Sequence, residues 1–248
     1  MTKIYAHRGA SAYAPENTLE AFDLAAQMGA DGVELDVHLT KDGEVVVAHD
    51  DEVDRVSNGT GLIRNMTLAE LKKLRFNRTH PEYENATIPT LREVLDLLKP
   101  TGLHINVEIK SDHLLLSKME EKCVKLAYEA GMTDRVMYSS FDRFSLVRIK
   151  RTDPNIYVGL LKMHMPKALK PVDPWDIVQK LGFNAIHPHL SELLVPGIME
   201  KARAMGMDMN VWTVNEDLDI RRVLMKGVNM LIGDRPDRAI EIRRRLGL

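Results

Sequence analysis

The sequence contains little cysteine and no long hydrophobic run. Cys123 is the only cysteine among 248 residues, so the chain can form no internal disulfide and cannot build a thiolate zinc cage. No stretch approaches the roughly 18 consecutive apolar residues that a membrane span requires. The first residues, MTKIYAHRGA, also lack an apolar run of signal-peptide length. These absences predict a cytoplasmic protein without a membrane span.

An excess of charge of either sign is also absent. The chain has 34 Lys and Arg residues against 36 Asp and Glu residues, which gives a formal net charge of −2. Such a balance offers no global attraction to nucleic acid, so we expect no nucleic-acid partner. Hydrophobic residues make up 44% of the chain and charged residues 28%, which indicates a globular protein rather than a disordered one.

Short β-branched runs alternate with longer segments of helical period, and this pattern predicts repeated βα units. The strands are predicted at residues 4–7, 32–40, 104–109, 135–139, 156–161, 183–187, 209–214 and 229–232. Eight such units, in a chain close to the roughly 250 residues of a (βα)8 TIM barrel, predict this α/β fold as a single domain over residues 1–248.

Two helices have recognisable signals. Asn17 is predicted to cap the first helix, with Glu20 as its capping partner. A later helix, from Leu116 to Ala130, places Cys123 on its apolar face, so this cysteine is predicted to be a core residue.

Residues from about 50 to 90 interrupt the βα rhythm. This segment runs through SNGTG, a short helical stretch near 67–74 and a polar loop before a helix at 91–98. We expect it to be an insertion after the second strand that covers the carboxyl ends of the strands, where a barrel carries its active site.

Acidic residues gather at the predicted strand ends. Glu34 and Asp36 stand two residues apart on an apolar strand and therefore face the same side, as do Glu108 and Lys110 on the next barrel strand. Three carboxylates converging in the barrel interior would raise one another's pKa, and a divalent cation would remove that repulsion. Oxygen ligands favour Mg²⁺ or Ca²⁺, and nearby histidines also admit Mn²⁺. The structural alternative is an ion-pair network in which Lys110 and Arg8 neutralise the acids.

A predicted hairpin places His49 beside these acids. Asp42-Gly43 is a strong signal for a two-residue turn, which would pair Lys41 with Glu44. Counting back along both strands then sets Asp36 directly opposite His49.

His7 ends the first predicted strand and is followed by Arg8, a fixed cation suited to a phosphate oxygen. Two histidines, a cation site and two basic residues indicate acid–base chemistry on an anionic substrate. Trp212 is predicted either to form an apolar wall for the carbon atoms of the substrate or to pack the barrel. His187 is predicted to be a packing residue, although it could reach the pocket.

The chain resembles the glycerophosphodiester phosphodiesterase family. AHRGA, PENT, ELDVHLTKDGEVVVAHD, NGTG, IPTL, VEIK and VWTVN occur in the order and with the spacing of that family. The resemblance extends over the whole chain. One departure is IGDRP at residues 232–236, which replaces the usual Thr-Asp-x-Pro arrangement.

The resemblance implies a barrel enzyme that uses a divalent cation to hydrolyse glycerophosphodiesters to sn-glycerol 3-phosphate and an alcohol. It implies that the cation ligands are Glu34, Asp36 and Glu108, the acid–base pair is His7 and His49, and the substrate contacts are Arg8, Lys110 and Trp212. Glu16 of PENT also matches, with a supporting role.

Two other classes of function stay open at this stage. A metal-dependent lyase or aldolase would use Lys110 to form an imine with a carbonyl substrate. A sensor would bind glycerophosphodiesters without turning them over.

Overall fold

Eight parallel strands close into a barrel, as the sequence predicts; the computed structural model describes residues 1–110, 118–163 and 173–248. The strands are β1 (Lys3–His7), β2 (Gly32–Leu39), β3 (Val45–Val47), β4 (His104–Ile109), β5 (Val136–Ser140), β6 (Val158–Lys162), β7 (Ala185–Pro188), β8 (Asp208–Val211) and β9 (Met230–Gly233). Parallel pairing runs from β1 through β9, β8, β7, β6, β5 and β4 to β2, and a β1–β2 pairing completes the ring. The short β3 lies antiparallel to β2, outside the ring.

Helices alternate with the barrel strands. They are α1 (Leu19–Gln27), α2 (Leu68–Leu71), α3 (Leu91–Leu98), α4 (Met119–Ala130), α5 (Arg143–Thr152), α6 (Pro174–Lys180), α7 (Ile198–Ala204), α8 (Asp217–Lys226) and α9 (Pro236–Arg245). Cys123 is fully buried on α4, whereas Leu116, predicted for the same helix, lies outside the described residues. In the described ranges, no helix is long and apolar enough to cross a membrane.

The predicted cap of α1 is wrong by one residue. Thr18 is the N-cap, and its hydroxyl accepts a hydrogen bond from the backbone N–H of Ala21. Asn17 instead has a left-handed backbone (φ 58°), and its side chain donates to Asp36 at 2.9 Å. Asn17, which the local sequence pattern assigns to the helix cap, therefore makes a tertiary contact with Asp36 instead.

The predicted β2–β3 register is also wrong by one residue. Val37 pairs with Val47, and the backbone N–H of Ala48, not of His49, donates to the carbonyl of Asp36. The turn has three residues between Thr40 and Glu44 instead of two, because Gly43 adopts a left-handed conformation (φ 82°) as in a bulged hairpin. His49 follows the end of β3 and does not stand directly opposite Asp36.

Alternation along the strands separates two environments. On β2, Val33, Leu35 and Val37 pack in the main apolar core, whereas Glu34 and Asp36 point to the barrel interior. Inside the barrel, Tyr5, Met230 and Ile232 form a small apolar cluster. The acidic side chains therefore lie in the interior, because the opposite face of β2 carries the apolar side chains that pack against the helices.

The insertion packs on its own small core beside the barrel. This cluster contains Val46, Ala48, Val53, Val56, Ile63, Leu71, Phe76 and Ile88. Thr67 caps α2 through a capping box with Glu70, so the helix predicted near 67–74 is present but short. Tyr83 donates to the backbone carbonyl of Tyr13 and joins the insertion to the loop after β1.

Candidate active site

Three carboxylates from neighbouring strands meet in the barrel. Glu34 and Asp36 on β2 and Glu108 on β4 are buried, and one oxygen from each lies within 4.8 Å of the others. The parallel register pairs Asp36 with Glu108, which brings the two side chains together on the inner face. The prediction from the sequence that these acids converge is therefore confirmed.

Burial and mutual repulsion perturb this cluster. Burial, reinforced by Asp36, holds the pKa of Glu34 well above its ordinary value. Burial and Asp36 likewise raise the pKa of Glu108 to about 7. Burial would also favour the neutral form of Asp36, but Lys110 and Arg8 hold its pKa below the ordinary range.

Lys110 and Arg8 are placed against the acids. The Lys110 Nζ lies 2.8 Å from Oδ1 of Asp36 and 2.6 Å from Oε1 of Glu108. The Arg8 Nε lies 3.7 Å from Oδ2 of Asp36, and the Arg8 backbone N–H donates to Glu34 at 3.1 Å. The ion pairs expected from a structural network thus exist, yet they leave two of the three carboxylates with raised pKa values. Clustered hard oxygen donors with unrelieved repulsion fit a divalent cation.

His7 is held by an aspartate from the far end of the chain. Its Nδ1 donates to Oδ1 of Asp234 at 2.6 Å, and its Nε2 lies 4.0 Å from Oε2 of Glu34. Asp234 is fixed in turn by Asn215, whose side-chain amide donates to Oδ2 at 2.6 Å. Asp234 and Asn215 were not among the predicted site residues. The aspartate of the atypical IGDRP segment, at a strand end, was the available signal.

His49 has a matching partner. Its Nδ1 donates to Oδ1 of Asp50 at 2.6 Å, so each histidine has Nδ1 bound to an aspartate. Burial lowers the pKa of His49 against the opposing effect of Asp36. In both side chains Nε2 is the nitrogen that the aspartate does not bind.

Arg55 connects the two histidine-bearing loops, and sequence reasoning did not identify it. Its guanidinium donates to Oδ2 of Asp50 at 2.6 Å and to both oxygens of Glu16 at 2.7 and 2.8 Å. Glu16 also accepts from Arg8 at 2.9 Å. Burial favours the neutral form of Glu16, but Arg55 and Arg8 hold its pKa below the ordinary value. Glu16 therefore supports the site by joining two arginines.

A tight turn after β1 places Arg8. The backbone of Arg8 is left-handed (φ 56°), and that of Gly9 is also left-handed (φ 80°). A Cβ on Gly9 would stand 2.7 Å from the backbone carbon of Ala21, so only glycine lets this turn approach α1. The His-Arg-Gly sequence thus provides a histidine, a cation and the turn together.

One cavity, here called the site cavity, is lined by all of the predicted site residues except Asp36. Its lining includes His7, Arg8, Glu34, His49, Asn106, Glu108, Lys110, Ser139, Phe141, Leu161, Trp212 and Ile232. Asp36 is 1% exposed and contacts two of these lining residues, Lys110 and Arg8. Trp212 forms part of the wall, held by an Nε1–H bond to the carbonyl of His187 at 2.7 Å and an edge-on contact with Phe141. His187 is fully buried and is not part of the lining.

A larger cavity of about 590 Å³, here called the outer cavity, adjoins the first. His49, Glu108, Lys110 and Phe141 line both. The remaining wall of the outer cavity comes largely from the beginning of the insertion, residues 50–52, 54–55 and 63–64. A ligand bound at the acids could therefore occupy the narrow site cavity and extend into the wider outer cavity.

Comparison with known proteins gives one consistent result. A profile of the glycerophosphoryl diester phosphodiesterase family matches residues 7–238. A glycerophosphodiester phosphodiesterase of Caldanaerobacter subterraneus is 38% identical over 247 residues, which cover 99% of each chain.

Solved structures agree with this match. One crystal structure is that of a Silicibacter pomeroyi protein described as a putative glycerophosphoryl diester phosphodiesterase. It superposes on this chain with a TM-score of 0.90 at 25% identity, covering 100% of this chain and 95% of that one. An Oleispira antarctica phosphodiesterase, solved in complex with the product sn-glycerol-3-phosphate, has a TM-score of 0.88 at 30% identity, covering 98% of this chain and 97% of that one.

Proposed function

The chain belongs to the glycerophosphodiester phosphodiesterase family and is an enzyme of that class, and from this premise we propose how it acts. It hydrolyses glycerophosphodiesters to sn-glycerol 3-phosphate and an alcohol by histidine acid–base catalysis. The observation that carries this proposal is that one cavity is lined by both histidines, both basic residues and two of the clustered carboxylates.

Glu34, Asp36 and Glu108 would hold a divalent cation, for which Mg²⁺ or Ca²⁺ is the expected ion and Mn²⁺ also fits the donors. The bound cation would supply Lewis-acid stabilisation of charge on the phosphoryl group. Arg8 and Lys110 already carry fixed positive charge at the same place, so they bind and orient the substrate phosphate.

His7 and His49 move the protons. One Nε2 takes a proton from the attacking hydroxyl as the new P–O bond forms, and the other gives a proton to the leaving alkoxide as the old P–O bond breaks. Asp234 and Asp50 keep the two imidazole rings oriented by binding Nδ1. An alkoxide is a poor leaving group without this proton, so both histidines are needed.

Two nucleophiles are compatible with this arrangement: water, or the 2-hydroxyl of the glycerol group acting through a cyclic phosphate. A substrate with a chiral phosphorothioate separates them. A single attack by water inverts the configuration at phosphorus, whereas two successive displacements retain it.

The two cavities fit the two ends of the substrate. The glycerol end occupies the site cavity, with Trp212 and Phe141 against its carbon atoms, and the leaving alcohol extends into the outer cavity. The whole of residues 1–248 then acts as one catalytic barrel domain, with the insertion at about 50–90 bounding the outer end of the site.

The geometry argues against the two alternatives. The Lys110 Nζ is held between two carboxylates at 2.8 and 2.6 Å, whereas an imine-forming lysine must present a free neutral amine. A sensor that only binds its ligand would not need each histidine to be hydrogen-bonded to an aspartate. Turnover of a phosphodiester, without borohydride trapping of a carbonyl compound, excludes both.

The direct test is release of glycerol 3-phosphate from glycerophosphocholine by purified protein. Mg²⁺, Ca²⁺ or Mn²⁺ is added back after chelation, and Glu34→Ala and His49→Ala are assayed beside the matched control His80→Ala, a histidine that lines neither cavity. We expect turnover that depends on the cation, is lost in the first two variants and persists in the control. A folded wild-type protein that hydrolyses no glycerophosphodiester contradicts the proposal.

A further inference from the structure

Two buried side-chain oxygens in the site cavity have no hydrogen-bond partner among the described residues. They are Oδ1 of Asn106, a residue 1% exposed, and Oγ of Ser139, a residue 0% exposed. Both side chains line the site cavity, and neither has a role in the proton transfers above. An unpaired buried polar group costs free energy, so its presence at a binding cavity indicates a ligand that supplies the missing bond.

The position of Asn106 is fixed by the strand geometry. It precedes Glu108 by two residues on β4 and faces the same way, which puts it roughly 7 Å deeper in the barrel. In the parallel register Ser139 on β5 pairs with Glu108, and Asn106 pairs with Glu34 on β2, so each stands at the level of one of the acids. The two atoms thus lie along the inner end of the cavity, at two different depths.

Apolar side chains form much of the surrounding wall. Leu161, Trp212 and Ile232 line the same cavity, and Tyr5 packs with Ile232 in the small interior cluster. Two polar atoms at different depths against an apolar wall match a short carbon chain that carries hydroxyl groups. An alkyl group would leave both polar atoms unpaired.

We propose that Asn106 and Ser139 bind the free hydroxyls of the glycerol group, with Asn106 bound to the terminal hydroxyl, and so make the site specific for glycerol. This inference rests on the proposed function, since it assumes that the phosphate lies at the carboxylate cluster and the leaving alcohol in the outer cavity. Asn106 and Ser139 are specificity-determining residues and take no part in proton transfer.

The test compares two substrates on the same proteins. One is glycerophosphocholine, and the other is its analogue with hydrogen in place of the terminal hydroxyl, which keeps the 2-hydroxyl available for attack. Sites that bind a hydroxyl through a buried partner discriminate strongly against its loss, so wild type is expected to favour glycerophosphocholine by about 100-fold or more in kcat/KM. Asn106→Leu is expected to reduce this preference to within about threefold, mainly by slowing the natural substrate.

Ser139→Ala is the second variant, because it deletes one oxygen and disturbs the fold least. We expect it to lower kcat/KM for glycerophosphocholine by about tenfold, the effect of one neutral hydrogen bond. The matched control is Asn210→Leu, another buried barrel asparagine, which donates to Nε2 of His187 and does not line the site cavity. It should leave the substrate preference at the wild-type ratio.

A binding measurement keeps the two hypotheses separate. Competitive inhibition or calorimetry compares glycerol 3-phosphate with propane-1,2-diol 1-phosphate, which lacks the terminal hydroxyl. If wild type hydrolyses glycerophosphocholine but Asn106→Leu slows both substrates equally, the inference is overturned and the proposed function stands. If wild type turns over no glycerophosphodiester, the proposed function fails, and equal binding of the two phosphates overturns the inference as well.

Discussion

The Nδ1 of His7 lies 2.6 Å from Oδ1 of Asp234, a residue 227 positions further along the chain. Barrel closure brings them together, because β1 pairs with β9 and Asp234 directly follows β9. The hydrogen bond fixes the proton of the ring on Nδ1 and leaves Nε2 directed to the cavity. His49 and Asp50 repeat the arrangement with neighbours in sequence.

Asp234→Asn tests the orientation of His7. The amide can favour the wrong tautomer, so kcat is expected to fall by roughly 100-fold with little change in KM. Steady-state kinetics on glycerophosphocholine measure both quantities. Asp237→Asn, which alters an aspartate bound to the Tyr13 hydroxyl, is the control and should keep near-normal kcat. A normal kcat in Asp234→Asn would show that this hydrogen bond is dispensable.

Arg55→Ala tests the connection between Glu16 and Asp50. Loss of the guanidinium releases Asp50, so we expect kcat to fall roughly tenfold through misplacement of His49. The Arg55 side chain is 44% exposed, so the free energy of unfolding should fall by less than about 1 kcal/mol. Kinetics and urea denaturation are measured together, with Arg75→Ala, an exposed arginine of the same insertion, as the control. A large loss of stability with unchanged kcat would assign Arg55 to the fold alone.

Removal of one carboxylate tests the cation site without an activity assay. Glu108→Gln should weaken binding of a divalent cation by more than about 10-fold, since even the loss of a residue that hydrogen-bonds to a metal ligand has an effect of this size. Isothermal titration calorimetry measures the affinity, and a cation-dependent rise in Tm should shrink in parallel. Glu44→Gln alters an exposed glutamate at the β2–β3 hairpin and should bind the cation normally. Equal affinity in all three proteins would leave the acids as a purely structural network.

His187 should make stability depend on pH. Burial lowers its pKa in the folded protein to about 3 from the ordinary value of 6.5. Below pH 6.5 the unfolded chain therefore binds a proton that the folded protein refuses, so stability falls as the pH falls towards 3. At about pH 4 this should cost roughly 3 kcal/mol relative to neutral pH.

His187→Gln provides the comparison, because an amide does not titrate and can still accept a hydrogen bond from Asn210. Denaturant unfolding of both proteins across this pH range should give a flatter profile for the variant. Parallel profiles would mean that folding does not lower the pKa of His187.

Local patterns were sufficient for the barrel and the carboxylates. Strand periodicity put Glu34 and Asp36 on one face, and the parallel register of β2 and β4 added Glu108, as expected. The errors arose where two local signals compete. Asp42-Gly43 fits both a two-residue and a bulged three-residue turn, and Asn17 suits both a cap and a side-chain contact with Asp36.

The sequence by itself determined the fold class, the family and the convergence of the acids, because all of these follow from periodicity and motifs within short segments. The tertiary structure alone decided which residues contact these side chains: Asp234 binds His7, and Arg55 lies between Glu16 and Asp50. It also decided that the side-chain oxygens of Asn106 and Ser139 stay unpaired inside the barrel. The physical reason is that such contacts depend on how the ring closes and where the insertion lies. Residues hundreds of positions apart become neighbours only when the strands pair.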